Sequence, residues 1–147
     1  MTTAPARTTQ PAQDDALTHM PASYQILVVD DEPAIAYLVA DTLQEEGYEV
    51  RVHHDGASAL LDIVNDPPDL ELLDIAMPVM VGDELLRYLR QHGYPHLPVI
   101  VMTAGLHPEA YLAQGASAVL PKPFDLEHML DLVQRHLAPH RARTTGM

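Results

Sequence analysis

The chain has no cysteine and no tryptophan, a single phenylalanine and a single lysine among its 147 residues. Without cysteine there is no disulfide framework, no thiolate nucleophile and no zinc–cysteine site. Cations are scarce as well: 8 basic residues stand against 21 acidic ones, a formal net charge of −13. Such a balance disfavours contact with a nucleic-acid backbone or an anionic membrane surface. No window reaches the roughly eighteen consecutive apolar residues of a membrane helix, and residues 1–23 lack the apolar centre of a signal peptide. The expectation is a cytoplasmic protein with no direct nucleic-acid or membrane partner.

What is present suffices for one ordinary core, since 47% of the residues are hydrophobic. Residues 1–23, rich in Ala, Thr, Pro and Gln without periodicity, read as a flexible tail. Residues 24–138 read as one domain and 139–147 as a short tail, too short for an output domain. The continuous apolar run Ile26–Val29, ended by Asp30-Asp31, has the pattern of a central parallel strand covered on both faces. Pro33 suits a first helical turn, and Ile35, Leu38, Val39 and Leu43 keep helical spacing up to Gly47, which predicts a helix over 33–46.

A second strand is expected from Tyr48 to His53 and a second helix from Gly56 to Asn65, closed by Pro67-Pro68. Leu70, Leu72 and Leu73 form the third strand, which delivers Asp74 to its end before Pro78 and Gly82 forbid continuation. Leu85, Leu86 and Leu89 mark a third helix, and Val99–Met102 a fourth strand ending at Thr103. A short helix over about 108–114 and a brief strand Ala118–Leu120 precede Pro121-Lys122. Leu126, Met129, Leu130, Val133 and Leu137 then form the stripe of a last helix expected to end near Pro139. Five strands alternating with five helices call for a parallel sheet covered on both faces.

In such a sheet ligands bind at the carboxyl ends of the strands. Those ends carry Asp30 and Asp31, Asp74, Thr103, and Lys122, the chain's one lysine. Carboxylates about 4 Å apart repel by roughly 4 kcal/mol per pair at an effective dielectric near 20. A divalent cation and the lysine would relieve that repulsion, and an all-oxygen donor set suits Mg²⁺ or Mn²⁺. The chemistry this permits is phosphoryl transfer to Asp74 as a carboxylate nucleophile, with metal, hydroxyl and ammonium stabilising the transferred oxygens.

Four fragments in order carry a family resemblance: Leu27-Val28-Val29-Asp30-Asp31; Leu72-Leu73-Asp74 with Met77-Pro78 and Gly82; Val101-Met102-Thr103-Ala104; and Leu120-Pro121-Lys122-Pro123-Phe124. Together they resemble the receiver domain of two-component response regulators, over about residues 24–138. The resemblance implies a flavodoxin-like (βα)5 three-layer sandwich, α/β, with a five-stranded parallel sheet in order 2-1-3-4-5. It implies Asp74 as phosphoacceptor from a sensor histidine kinase, and Mg²⁺ held by Asp31, Asp74 and the carbonyl of Ala76, with Asp30 acting through water. It further implies that Thr103 and Lys122 contact the phosphoryl group and that Lys122-Pro123 is a cis peptide.

The chain departs from that pattern at three places. Val119 occupies the output-switch position, where the family usually carries Tyr or Phe, and cannot make the ring movement. The interval from Thr103 to Lys122 is about one helical turn short, so an altered helix-four surface is the expected output. Glu71 stands in a central strand, where the expectation is that its carboxylate escapes to solvent at the strand's lower end. Ala76 and Gly105 are small and predict an open pocket with rapid phosphoryl loss.

The resulting expectation is a single-domain response regulator acting through an unidentified downstream protein or as a phosphate sink, with homodimerisation through the last two helices. It would not be an enzyme beyond its own phosphotransfer and dephosphorylation. The rivals are a phosphorylation-independent scaffold and a magnesium-dependent phosphatase, the latter disfavoured because Ala76 cannot serve as general acid. A flavin-binding flavodoxin is disfavoured because acids stand where a phosphate loop should follow the first strand. The nine histidines lack the spacing of a helical metal clamp.

Overall fold

In the computed structural model of the chain, residues 23–75, 82–105 and 107–145 are described, those from 138 onward by their backbone alone. Five strands, β1 (Gln25–Val29), β2 (Glu49–His53), β3 (Leu70–Asp74), β4 (Val99–Thr103) and β5 (Ala118–Pro121), form one parallel sheet in the order β2-β1-β3-β4-β5. They alternate with α1 (Pro33–Glu45), α2 (Gly56–Asn65), α3 (Gly82–Gln91), α4 (Glu109–Ala113) and α5 (Leu126–Thr145). The expected fold class, strand order and short fourth helix are all present.

Side chains alternate across a strand, so each central strand feeds two cores. Ile26, Val28, Leu70, Leu72, Ile100 and Met102 meet Val39 and Leu43 of α1 and Met129 and Val133 of α5 on one face. Leu27, Val29, Leu73, Val99 and Val101 meet Ile63 of α2 and Leu85, Leu86 and Leu89 of α3 on the other. Burying one such side chain contributes about 1.5–3 kcal/mol, which fixes the register of β1, β3 and β4 and hence the positions of their carboxyl ends. Caps fix the helices in turn. Pro33 opens α1, the Asp55 carboxylate caps α2 by accepting from the Ser58 N–H at 2.7 Å, and Asp125 accepts from the His128 N–H at 2.8 Å at the start of α5. Gly47, at a φ of 96°, supplies the left-handed residue that stops α1.

Two expectations need correction. The last helix does not end near Pro139 but runs to Thr145, so residues 139–145 belong to α5 rather than to a tail. A proline removes one i→i−4 hydrogen bond, and the alanine and arginines that follow it in the sequence favour helix enough for it to continue past Pro139.

Glu71 does not reach solvent: its side chain is completely buried, and among the described residues neither carboxylate oxygen has a hydrogen-bond partner. The cause is its register. Glu71 stands opposite Leu27 on one side and Val99 on the other, and its own N–H donates to the Pro98 carbonyl at 2.9 Å, so the segment entering β4 closes the strand's lower end. Burial pushes the Glu71 carboxyl up to about 8, with the Arg90 guanidinium pulling the other way. Arg90 donates from Nε to the Gly115 carbonyl and from Nη1 to the Tyr94 carbonyl, at 2.9 and 2.8 Å.

Candidate phosphoryl and metal site

The sheet's carboxyl edge is held by backbone bonds that continue each ladder beyond its strand. Asp30 N–H donates to the His53 carbonyl at 3.1 Å, Ile75 N–H to Met102 at 3.2 Å, and Lys122 N–H to Thr103 at 2.8 Å. These bonds bring residues far apart in sequence to one place. Asp31, Asp74, Thr103 and Lys122 all border a cavity of about 480 Å³, together with Gly105 and Tyr111.

Asp30 is fully buried, Asp74 nearly so, and Asp31 is exposed at the rim. Each of the three can present a carboxylate oxygen such that the three oxygens lie within 4.8 Å of one another. Oxygen donors at that separation, two of them shielded from water, fit a small hard cation that keeps several of its own waters. The third protein ligand expected from the resemblance, the Ala76 carbonyl, lies outside the described residues, as do Met77 and Pro78.

Lys122 sits between the carboxylates. Its Nζ lies 3.2 Å from Oδ2 of Asp30 and 3.4 Å from Oδ1 of Asp74. Burial alone would lower the Lys122 ammonium, but the charges of Asp30 and Asp74 outweigh it and the pKa is raised, so the lysine is a fixed cation at neutral pH. The other oxygen of Asp30, Oδ1, accepts from the Glu32 N–H at 3.0 Å, which completes the support of this buried charge. Lys122-Pro123 is a cis peptide, as the resemblance implies.

Thr103 is almost completely buried, and its Oγ1 accepts the Gly105 N–H at 2.9 Å. A hydroxyl that accepts one bond still has its own proton to donate, here on the wall of the cavity that Asp74 also borders. Gly105 belongs to the wall of the cavity, consistent with the open pocket expected from small residues. Val119 is not in the cavity. It faces a separate cavity of about 470 Å³ between α4 and α5, bordered also by Leu112 and Leu132.

Two features went unread in the sequence. Tyr111 of α4 borders the acidic cavity, and His54 donates from Nδ1 to the Asp30 carbonyl at 3.0 Å. Neither sits in a motif. Both reach the site through tertiary contacts that no local spacing encodes.

A family model described as the response regulator receiver domain matches residues 26–134. Response regulator MprA of Mycobacterium bovis is 43% identical over 111 residues, covering 74% of this chain and 48% of that protein. The chain thus spans about half the length of the curated relatives it matches. Among solved structures, the chemotaxis protein CheY4 of Vibrio cholerae is 38% identical with a TM-score of 0.73, over 79% of this chain and 100% of that one. A putative response regulator from Chloroflexus aurantiacus is 31% identical with a TM-score of 0.76, over 80% of this chain and 99% of that one. Among the described residues no helix is long and apolar enough to cross a membrane.

Proposed function

Because this chain belongs to the response regulator receiver domain family, we propose that Asp74 accepts a phosphoryl group from a phosphohistidine on a sensor histidine kinase, within a two-component pathway. The observation that carries this reading is the convergence of Asp30, Asp31 and Asp74, with Lys122 bridging two of them.

An Asp74 carboxylate oxygen forms the new O–P bond as the N–P bond of the donor breaks, and the electron pair of that bond stays on the donor imidazole. Lys122 and the Thr103 hydroxyl lie where they can stabilise the equatorial oxygens in flight. Asp30, Asp31 and Asp74 would hold Mg²⁺ or Mn²⁺, whose chemistry is to neutralise charge on the phosphoryl oxygens. Release is hydrolysis of the acyl phosphate by water admitted past Gly105. This is self-catalysed turnover of its own modification, and the chain is not an enzyme on other substrates.

The donor has to bring its phosphohistidine to the rim of the acidic cavity. An adjoining apolar cavity of about 310 Å³, which shares Ala104 and Lys122 with it and includes Leu38 and Phe124, supplies hydrophobic contact there. Output passes through a downstream protein, or the chain drains phosphoryl groups as a sink. The face bearing α4 and α5, with Leu112 half exposed, would serve a homodimer.

A second reading, a scaffold indifferent to phosphorylation, is favoured by Val119 and by an α4 of only five residues. Incubation with Mg²⁺ and acetyl phosphate, followed by rapid quench and intact-mass spectrometry, separates the two. The receiver reading expects one phosphoryl adduct, lost with EDTA and in Asp74→Asn. No adduct on a protein that binds Mg²⁺ would favour the scaffold.

A further inference from the structure

The turn that carries Asp30 and Asp31 is clamped from a direction the receiver chemistry does not require. At the end of β1, the Asp30 N–H makes the last ladder bond, to the His53 carbonyl. Among the described residues no backbone N–H donates to the Asp30 C=O. The His54 imidazole takes that place, with Nδ1 3.0 Å from the carbonyl oxygen. A carbonyl can only accept, so Nδ1 carries the proton, and in the neutral ring Nε2 carries the lone pair.

Tyr37 of α1 completes the clamp. Its ring meets the imidazole edge to face, with centroids 5.6 Å apart and planes at 68°, and its hydroxyl lies 3.4 Å from Nε2. At that distance the hydroxyl bond is weak, and the ring contact does most of the orienting. The tautomer demanded at Nδ1 is also the one that lets Tyr37 donate to Nε2.

The consequence reaches Asp31 through covalent geometry. The Asp30 C=O and the Asp31 N and Cα lie in one rigid peptide plane, so fixing the oxygen fixes where the Asp31 side chain starts. Asp31 is exposed, unlike Asp30, which is buried and tied at both carboxylate oxygens. Its aim therefore depends on the backbone beneath it.

We propose that His54, oriented by Tyr37, is a positioning residue for the cation site, setting the Asp31 carboxylate through the Asp30 carbonyl. This rests on the receiver reading for its purpose but not for its test. Groups that orient a metal's ligands typically account for about 10–100-fold in affinity.

The test uses the full chain, without phosphodonor. In metal-free protein at mildly alkaline pH, ¹⁵N NMR of the His54 ring should show the Nδ1-protonated tautomer. Calorimetric titration with Mg²⁺ should show about a tenfold loss of affinity in His54→Leu. His54→Asn, whose amide can donate from nearly the position of Nδ1, should restore binding close to wild type. A purely structural role would not make Asn better than Leu for Mg²⁺ at equal melting temperature. An Nε2-protonated ring, equal affinity in wild type and His54→Leu, or a wild-type chain that binds no Mg²⁺ would each overturn the proposal. If His54→Leu fails to fold, the tautomer and the Asn variant still decide. A chain that binds Mg²⁺ as expected yet takes no phosphoryl group would overturn the receiver reading alone.

Discussion

Lys122 lies closer to Asp30 than to Asp74, at 3.2 against 3.4 Å, and Asp30 is the more deeply buried of the two. The lysine thus compensates first the carboxylate that cannot reach water. Asp74 keeps an opening on the cavity, where on the proposed function an incoming phosphorus would approach.

Removing that cation exposes the cost of the arrangement. Lys122→Met would leave Asp30 buried with the Glu32 N–H as its one remaining donor among the described residues, and losing one member of a buried pair typically costs about 3–5 kcal/mol. Urea unfolding in EDTA should show a loss of that order. With saturating Mg²⁺ the loss should shrink, because a second cation then serves the same carboxylates. An equal loss in both buffers would mean that the lysine acts by packing alone.

Asp74→Asn should move stability the other way in metal-free buffer. Two carboxylates about 4 Å apart repel by roughly 4 kcal/mol at an effective dielectric of 20, and losing attraction to Lys122 offsets part of the relief, leaving a gain of about 1–2 kcal/mol. The same change should weaken Mg²⁺ binding at least about tenfold by removing one charged ligand. A lower melting temperature in EDTA would show that the carboxylates are not in electrostatic conflict.

Gly82 opens α3 at a point of close approach rather than of unusual backbone. A Cβ built there would lie 2.5 Å from the Asp74 carbonyl oxygen and 2.7 Å from the Ile75 Cα, both backbone atoms that cannot swing away. Gly82 N–H also donates to the Ile75 carbonyl at 3.1 Å. Gly82→Ala should therefore cost about 1–3 kcal/mol, the range of an overpacked core, and slow acetyl-phosphate labelling of Asp74 by displacing it. Wild-type labelling together with wild-type stability would sink this account.

These residues differ in how readily the sequence disclosed them. Ile26–Val29 and Val99–Met102 were legible because a strand buried on both faces must be apolar throughout, and Asp30, Asp74, Thr103 and Lys122 because each follows such a run. The register that brings them together came with the family pattern. His54 and Tyr111 were not legible, since each reaches the site across a loop and carries no periodic signal. Pro139 reads locally as a stop, yet the cost of one lost hydrogen bond is small enough that the helix runs through it to Thr145. Glu71 misled for a related reason: composition rules place glutamate in water, and the pairing of β3 between β1 and β4 overrides them.

Glu71 also gives the sharpest dependence on pH. Its carboxyl sits near 4.5 in an exposed setting and is pushed up to about 8 in the fold by burial, against the opposing pull of Arg90. Below about 4.5 both folded and unfolded chains hold the proton and the residue costs no pH-dependent stability. Between about 4.5 and 8 the unfolded chain releases the proton while the folded one must keep it, so stability falls as pH rises; above 8 both are ionised and the fall is complete. At about 1.4 kcal/mol per pH unit, the loss over that window is of order 4–5 kcal/mol. Glu71→Gln keeps the shape and removes the titration. The difference in unfolding free energy between variant and wild type should therefore climb in the variant's favour from pH 5 to pH 8, then level off. Parallel curves would mean that Glu71 is ionised in the fold and stabilised there by Arg90.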